Sequence, residues 1–351
     1  MIRNDAALHR ADYAFFSFAL LLTLFGLMML SSAGSAIGQE RFGDNYFFIK
    51  RQLLFGILPG IAFFFLCARI SYHTLKRLSI PIGIASLLLL FLVFIPGIGS
   101  RHGTGSLSWL TIGSYSFQPA EAAKLGLILF FAVQLSRMGE KIRDWKSGLV
   151  PVLLWCLPFL AMVAFQPDLG TLLVLFAIVF GMLFVAEAKI SHLAILGAAG
   201  LALFMLMALV APYRVARLTT FLHPELDPQG VGYHINQAFL AIGSGGIFGL
   251  GFGHSRQKFQ YLPEVHADSI FAIIAEEMGF LFAAGVVMLF LALARRGFRI
   301  AKNAPDQFGR FTVSGIMVWF LVQAFFNIGA MVGLVPLTGL PLPFISHGGT
   351  A

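Results

Sequence analysis

Nine runs of apolar residues, most of them about as long as a helix needs to be to cross lipid, constrain this chain more than any other feature. They fall at 13–31, 53–68, 80–98, 122–135, 149–165, 171–186, 190–211, 270–293 and 311–332. Inside a bilayer every backbone N–H and C=O must find its partner within the protein, and a long uniformly apolar run does so as a helix. The expected fold class is therefore all-α, a polytopic membrane bundle in which 1–351 is a single integral membrane domain. Composition agrees, since 58% of residues are hydrophobic and only 11% are charged. The first run follows Arg3, His9 and Arg10, as a secretory signal would. It is too long for one and more spans follow, so it reads as an uncleaved first helix.

Lys and Arg between the runs give an orientation. With the N-terminus in the cytoplasm, the inner connections hold Arg69, Lys76 and Arg77, then Arg137, Lys141, Arg143 and Lys146, then Lys189, then Arg295, Arg296, Arg299, Lys302 and Arg310. Arg41, Lys50, Arg51, Arg214, Arg217, Arg256 and Lys258 fall outside against this trend. The two longest polar connections, 99–121 and 212–269, both fall outside, which makes the outer face the working face. Nucleotides are scarce there, which argues against a kinase or ATPase. The net charge of +8 reports topology rather than nucleic-acid binding, because the basic residues sit between apolar spans. Cys67 and Cys156 both lie in apolar runs and imply neither a disulfide framework nor a metal site. The nine histidines show no HExxH-like spacing.

Chemistry concentrates in YLPEVHADSIFAIIAEEMGF (261–280). It begins polar, with Glu264, His266 and Asp268, and continues as an apolar helix that contains Glu276 and Glu277. A helix starting near Asp268 carries Glu277 about 13 Å further along its axis. Carboxylates in such a segment are costly, so they face the bundle interior or buried donors and mark a functional region. Asp268 has two open readings, an N-cap of the eighth span or a group that acts on substrate. In SWLTIGSYSFQPAEAAKL (108–125), Glu121 and Lys124 share a helix face. They are either an ion pair near the membrane surface or, with Trp109, the lining of an anionic head-group site. FQPDLGT (165–171) is a turn in which Asp168 can cap the next helix.

Within 212–269, VGYHINQAFLAIG (231–243) has apolar residues at helical spacing and is expected to lie in the interface as an amphipathic helix. The glycine-rich GSGGIFGLGFG (243–253) lacks the Lys-Ser/Thr of a nucleotide loop and reads as a hinge or a close backbone approach to a ligand.

Taken in order, FQPAEAAKL, QPDLGT, GYHINQAFLAIGSGGIFG, SRQKFQYLPEVHADSIFAIIAEEMGF and GLVPLTGLPLPFISHGG resemble the SEDS family (FtsW, RodA and SpoVE) of shape, elongation, division and sporulation proteins. The match covers nearly the whole chain. SRQKF ahead of YLPE, and GLPLPFIS near the end, are more like the division type than the elongation type. The resemblance implies ten membrane helices and a peptidoglycan glycosyltransferase that polymerises lipid II at the outer face of the bacterial cytoplasmic membrane, at the division septum. It carries the family's essential acid onto Asp268, the WxxxGxxxFQPxExxKL positions onto Trp109, Gln118, Glu121 and Lys124, and the turn acid onto Asp168. It implies a class B penicillin-binding protein of the FtsI type as partner, alongside other divisome membrane proteins. Three positions depart from the pattern: Ser108 stands where the family usually has Arg, Ala267 where Thr or Ser is common, and His347 where Tyr is common. A tenth helix is expected after 340–351, and the sequence reads as truncated before it.

The implied reaction needs a base for the acceptor's 4-hydroxyl, assigned to Asp268, and positive charge for the departing diphosphate. Lys124 and Arg217 are the foremost cations, ahead of Arg214, Arg256 and Lys258. No cofactor is implied outright; a divalent cation, Mg or Mn, could share that charge. Two rivals stand beside this reading: a lipid II flippase, which makes no polymer, and a scaffold that only positions its partner.

Overall fold

The computed structural model describes residues 11–100, 106–112, 115–210, 212–227 and 229–348. Arg3, His9 and Arg10 lie outside them, as does the side chain of Arg214. The spans appear as helices α1 (Tyr13–Ala33), α3 (Phe47–Arg69), α4 (Tyr72–Leu92), α5 (Pro119–Met138), α6 (Val150–Phe165), α7 (Leu169–Val185), α8 (Ile190–Val210), α11 (Ile270–Lys302) and α12 (Gln307–Met331). A short helix, α2 (Ser35–Phe42), follows α1, while α9 (Pro212–Leu222) and α10 (Val231–Gly245) occupy the long outer connection. Eight of the described helices are long and apolar enough to cross a membrane, and the 17-residue α7 is the shorter ninth. The chain is thus a multi-pass membrane protein.

Helix boundaries moved where polar residues join a helix. The third span begins at Tyr72 rather than at 80, because Ser71 caps it by accepting the Thr74 amide at 3.2 Å. Lys76 and Arg77 therefore lie on its first turns and not in a loop. Likewise α11 runs on to Lys302, so Arg295, Arg296 and Arg299 are helical. A small antiparallel sheet, β1 (Gly99–Ser100), β2 (Trp109–Ile112) and β3 (Tyr115–Phe117), precedes α5 and is absent from the all-helical expectation.

Two apolar cores form. One joins α5, α6 and α7 through Leu127, Phe131, Phe159, Val174 and Ile178. The other joins α1, α10, α11 and the segment after α12 through Leu22, Met29, Ile270, Ile274 and Leu342. Helix α10 buries a narrow face of Gly232, Ile235, Ala238 and Ala241, of which Ala238 and Ala241 join that second core. Meanwhile α3 leaves Leu54, Phe63, Phe64 and Phe65 exposed, as suits a helix facing lipid.

Helix α11 breaks at Gly279, whose φ of 78° and ψ of 179° leave the helical region. The glycine-rich stretch fills the gap. Leu250 and Gly251 N–H donate to the carbonyls of Glu276 and Glu277 at 3.0 and 2.9 Å, and Phe280 N–H donates to Gly246 O at 2.9 Å. The glycines therefore serve a close approach of backbone to backbone within the chain. Beyond the break, Phe280 to Lys302 is about 34 Å long and reaches across a bilayer by itself. A Cβ on Gly279 would lie 2.3 Å from Gly249 N, in a backbone region that only glycine occupies readily. Gly279→Ala should therefore cost at least about 2–3 kcal/mol, read as a lowered melting temperature in detergent.

Candidate active site

A cavity of about 310 Å³ opens at the seam between the two cores. Several distant pieces of chain build it. The start of α5 brings Gln118 and Glu121, the start of α7 brings Asp168 and Thr171, α9 brings Arg217, and the 336–341 segment faces Asp268. Trp109 and Ser108 close one side from β2 and the residue before it. Six of the seven residues singled out in the sequence thus share one space: Trp109, Gln118, Glu121, Asp168, Arg217 and Asp268.

Lys124 is the exception. It is fully buried and does not line the cavity. Its ammonium is 2.8 Å from Glu121 Oε1, donates to Gln323 Oε1 at 2.8 Å, and lies 5.1 Å from the centre of the Trp319 ring. Gln323 in turn donates to Pro341 O at 3.0 Å. Lys124 therefore ties α5 to the 336–341 wall, and Glu121, which lines the cavity, keeps a second buried oxygen, Oε2, without a hydrogen bond. Of the two sequence readings the ion pair forms, though buried in the bundle rather than at the membrane surface, and Glu121 also lines the cavity. Neither Arg256 nor Lys258 lines the cavity. Lys258 is buried against Glu277, and the Arg256 amide donates to Glu276.

Asp168 caps α7, as the turn reading expects, and also lines the cavity. Its carboxylate accepts the Thr171 amide at 3.0 Å, as an N-cap, and the Thr171 hydroxyl at 2.9 Å. Gln118 Nε2 donates to it at 3.2 Å across the cavity wall. Asp268 does not cap α11 in this way: no side-chain cap bond forms there, and its carboxylate meets its own backbone amide and a long 3.4 Å contact from Ser269 Oγ. Its backbone, by contrast, is held firmly. Asn327 Nδ2 donates to Asp268 O and to Leu340 O, both at 2.8 Å, and Ser346 donates to Ala267 O. The result is a fixed main chain carrying a poorly solvated carboxylate.

Burial pushes the Asp268 carboxyl up to about 7, and the Glu264 carboxylate adds to the rise; Arg217 opposes it weakly. Burial also lowers His266 and His347 to about 4, so the imidazoles behind Asp268 are neutral at pH 7. Arg217 is therefore the cavity's cation among the described residues.

Thr338 and Gly339 are residues the sequence reasoning missed. Thr338 Oγ1 is a second buried lining atom without a hydrogen bond. Gly339, at φ 70°, brings backbone so close that a Cβ there would lie 3.9 Å from Asp268 Oδ2. The density of Pro and Gly in VPLTGLPLPF was the only local signal that this segment has a fixed non-helical path. The cavity thus combines an ionisable acid of raised pKa, a guanidinium, and unsatisfied acceptors, as proton abstraction beside a departing anion requires.

The FtsW/RodA/SpoVE family model, described as cell cycle protein, matches residues 12–351. Stage V sporulation protein E of Bacillus subtilis is 43% identical over 332 residues, covering 95% of this chain and 90% of that protein. A probable peptidoglycan glycosyltransferase FtsW of Geobacter sp. is 37% identical over 333 residues, with 95% and 90% covered. Among solved structures, a chain of a peptidoglycan synthase complex, described for the coordination of polymerization and crosslinking, aligns with a TM-score of 0.80 at 31% identity, covering 97% of this chain and 93% of that one. The Thermus thermophilus rod shape determining protein RodA aligns with a TM-score of 0.69 at 28% identity, covering 97% and 92%.

Proposed function

Because the chain belongs to the FtsW/RodA/SpoVE family of cell cycle proteins, we propose that it is a peptidoglycan glycosyltransferase that extends glycan strands from lipid II at the outer face of the bacterial cytoplasmic membrane. The observation that carries this reading is the shared cavity of Asp268, Arg217, Glu121 and Asp168 at the seam between the cores. Asp268 takes the proton from the acceptor's 4-hydroxyl as that oxygen attacks the donor's anomeric carbon. The polyprenyl diphosphate leaves from the opposite face, so the α-linkage becomes β. Arg217 receives the developing charge on the diphosphate. Glu121 Oε2 and Thr338 Oγ1 hold sugar hydroxyl or amide groups, and Trp109 offers a ring face to the lipid-borne sugar.

Lys124 acts at one remove in this scheme, by orienting Glu121. A divalent cation fits only in part. Among the described residues no three His, Cys, Asp or Glu side chains gather as a metal site, so Mg or Mn would be held chiefly by the diphosphate. The partner we infer is a class B penicillin-binding protein, and the place of work the division septum; the identities of 43% to a sporulation protein E and 37% to an FtsW-named protein, against 28% to RodA, speak against the elongation type, and the SRQKF and GLPLPFIS motifs favour division.

The test is polymerisation of labelled lipid II by the purified chain with its partner. Glycan polymer is expected; translocation of lipid II between leaflets without polymer would support the flippase instead. Arg217→Gln should slow polymerisation roughly 100-fold, in the range for loss of one preorganised charge donor. The pH profile should be informative too. Only the ionised Asp268 is a base, so the rate should rise about tenfold per unit up to a pH near 7 and level off above it. A profile flat between pH 5 and 8 would remove Asp268 from the proton-transfer step.

A further inference from the structure

The far end of the bundle holds a second hollow that the reaction does not use. Helices α4 and α5 pack closely at mid-length, where a Cβ on Gly126 would lie 2.0 Å from Ser86 Oγ and one on Gly83 2.8 Å from Phe130 Cβ. Towards the end of α5 they separate, leaving a hollow of about 520 Å³. Helix α4 contributes His73, Lys76 and Arg77 to it, and α5 contributes Ser136 and Arg137, over an apolar floor of Ile80 and Val133. Arg137 lies about 24 Å along α5 from Glu121, so this hollow faces the opposite membrane surface from the Asp268 cavity.

Its charge is unbalanced. Lys76 is neutralised by Asp306 at 2.9 Å. Arg77 and Arg137 have no ion-pair or hydrogen-bond partner among the described residues, and no carboxylate lines the hollow. Cations that only mark topology need not converge, yet these two guanidiniums come from different helices to one concave site with an apolar wall. Guanidinium pairs match phosphate oxygens in geometry and charge. An apolar floor beside them suits the first carbons of an acyl chain, and basic hollows between membrane helices take anionic lipid head groups.

We propose that this hollow binds the phosphate of an anionic membrane phospholipid, with Arg77 and Arg137 as its ligands. The test is native mass spectrometry of the full chain in detergent, titrated with phosphatidylglycerol, with phosphatidylcholine of the same acyl chains, and with inorganic phosphate. Phosphatidylglycerol should bind in preference to phosphatidylcholine. The double variant Arg77→Gln with Arg137→Gln should lose roughly 30-fold in that affinity, from two surface charges lost. The lysine double variant, Arg77→Lys with Arg137→Lys, should retain most of it. Equal binding of the two lipids, or an unchanged affinity in the glutamine variant, overturns the proposal. Inorganic phosphate that binds as tightly as the phosphatidylglycerol also overturns it, because the acyl chain then contributes nothing.

Discussion

Replacing Asp268 with Asn is expected to abolish polymerisation, by about 100- to 10,000-fold, the usual worth of a positioned base, and at the same time to make the protein more stable. The two effects have one cause. The carboxyl is pushed up to about 7 because the fold buries it beside Glu264 and offsets this with little more than its own amide and a long contact from Ser269. An acid whose folded pKa lies above its unfolded value binds its proton more tightly when folded. Between about pH 4 and 7 the folded state thus holds more protons, and stability contributed by this group falls as pH rises through that window. At pH 7 and above the native protein bears that cost in full. Asparagine keeps the shape and has no charge to desolvate, so Asp268→Asn should gain on the order of 1–2 kcal/mol after allowance for water in the cavity. Melting in detergent and lipid II polymerisation, measured on one preparation, check the pair. Loss of activity with a lower melting temperature would point to a structural role for Asp268 instead. A rise in melting temperature with full activity would remove it from catalysis.

Why the sequence was informative about this site, and where it fell short, follows from which interactions are local. Apolar runs report burial in lipid directly, so the nine helices could be read from the residues. Caps are local too, and Asp168 and its Thr171 partner lie three residues apart. The β-hairpin around Trp109 escaped notice because its strands are only four and three residues long, too short for the apolar-polar-apolar alternation of Leu110-Thr111-Ile112 against Phe117-Ser116-Tyr115 to stand out. The role of Lys124 escaped for a different reason. Spacing puts it beside Glu121, but only the contact with Gln323, 199 residues away, shows that its ammonium turns from the cavity into the bundle. Similarly, the glycines of 243–253 signal a close approach without naming the approaching surface, which is the broken end of α11 rather than a ligand. The resemblance to a family supplied the grouping of distant residues that local pattern could not. The 336–341 wall lay inside a family motif and was rich in Pro and Gly, yet neither signal placed Thr338 and Gly339 at the cavity.

The break in α11 gives the catalytic acid a short, separately anchored support. Asp268 sits just ahead of the piece from Ile270 to Met278, and Glu276 and Glu277 sit at that piece's other end. Glu277 is fully buried and accepts from four donors: Ser32 Oγ at 2.6 Å, Lys258 Nζ at 3.0 Å, and the amides of Gly253 and Ser255 at 3.0 and 3.2 Å. Lys258 spends its three protons on Glu277, on Ser32 Oγ at 2.9 Å and on Gly253 O at 2.6 Å. The Glu276 carboxylate takes the Ser255 hydroxyl and the Arg256 amide at 2.9 Å. The sequence left these acids facing either the bundle interior or buried donors; in the structure each is hydrogen-bonded to residues 253–256, which follow the glycine-rich stretch at the break.

Such a buried pair adds little net stability, but removing one partner leaves the other charged in a site without water. Glu277→Leu should therefore cost about 3–5 kcal/mol, and Lys258→Met a similar amount. The double variant should cost less than the sum by about 1–3 kcal/mol, the coupling expected for residues in direct contact. The double variant will not return to the native value, because the Gly253 and Ser255 amides still lose their acceptor. Activity distinguishes support from mere stability. At a temperature where both single variants remain folded, polymerisation should still fall, because the piece of helix that aims Asp268 has lost its far anchor. Additive stability losses in the double-mutant cycle, or folded variants that polymerise at the native rate, would show that the Asp268 end of this piece is held by Asn327 and Ser346 alone.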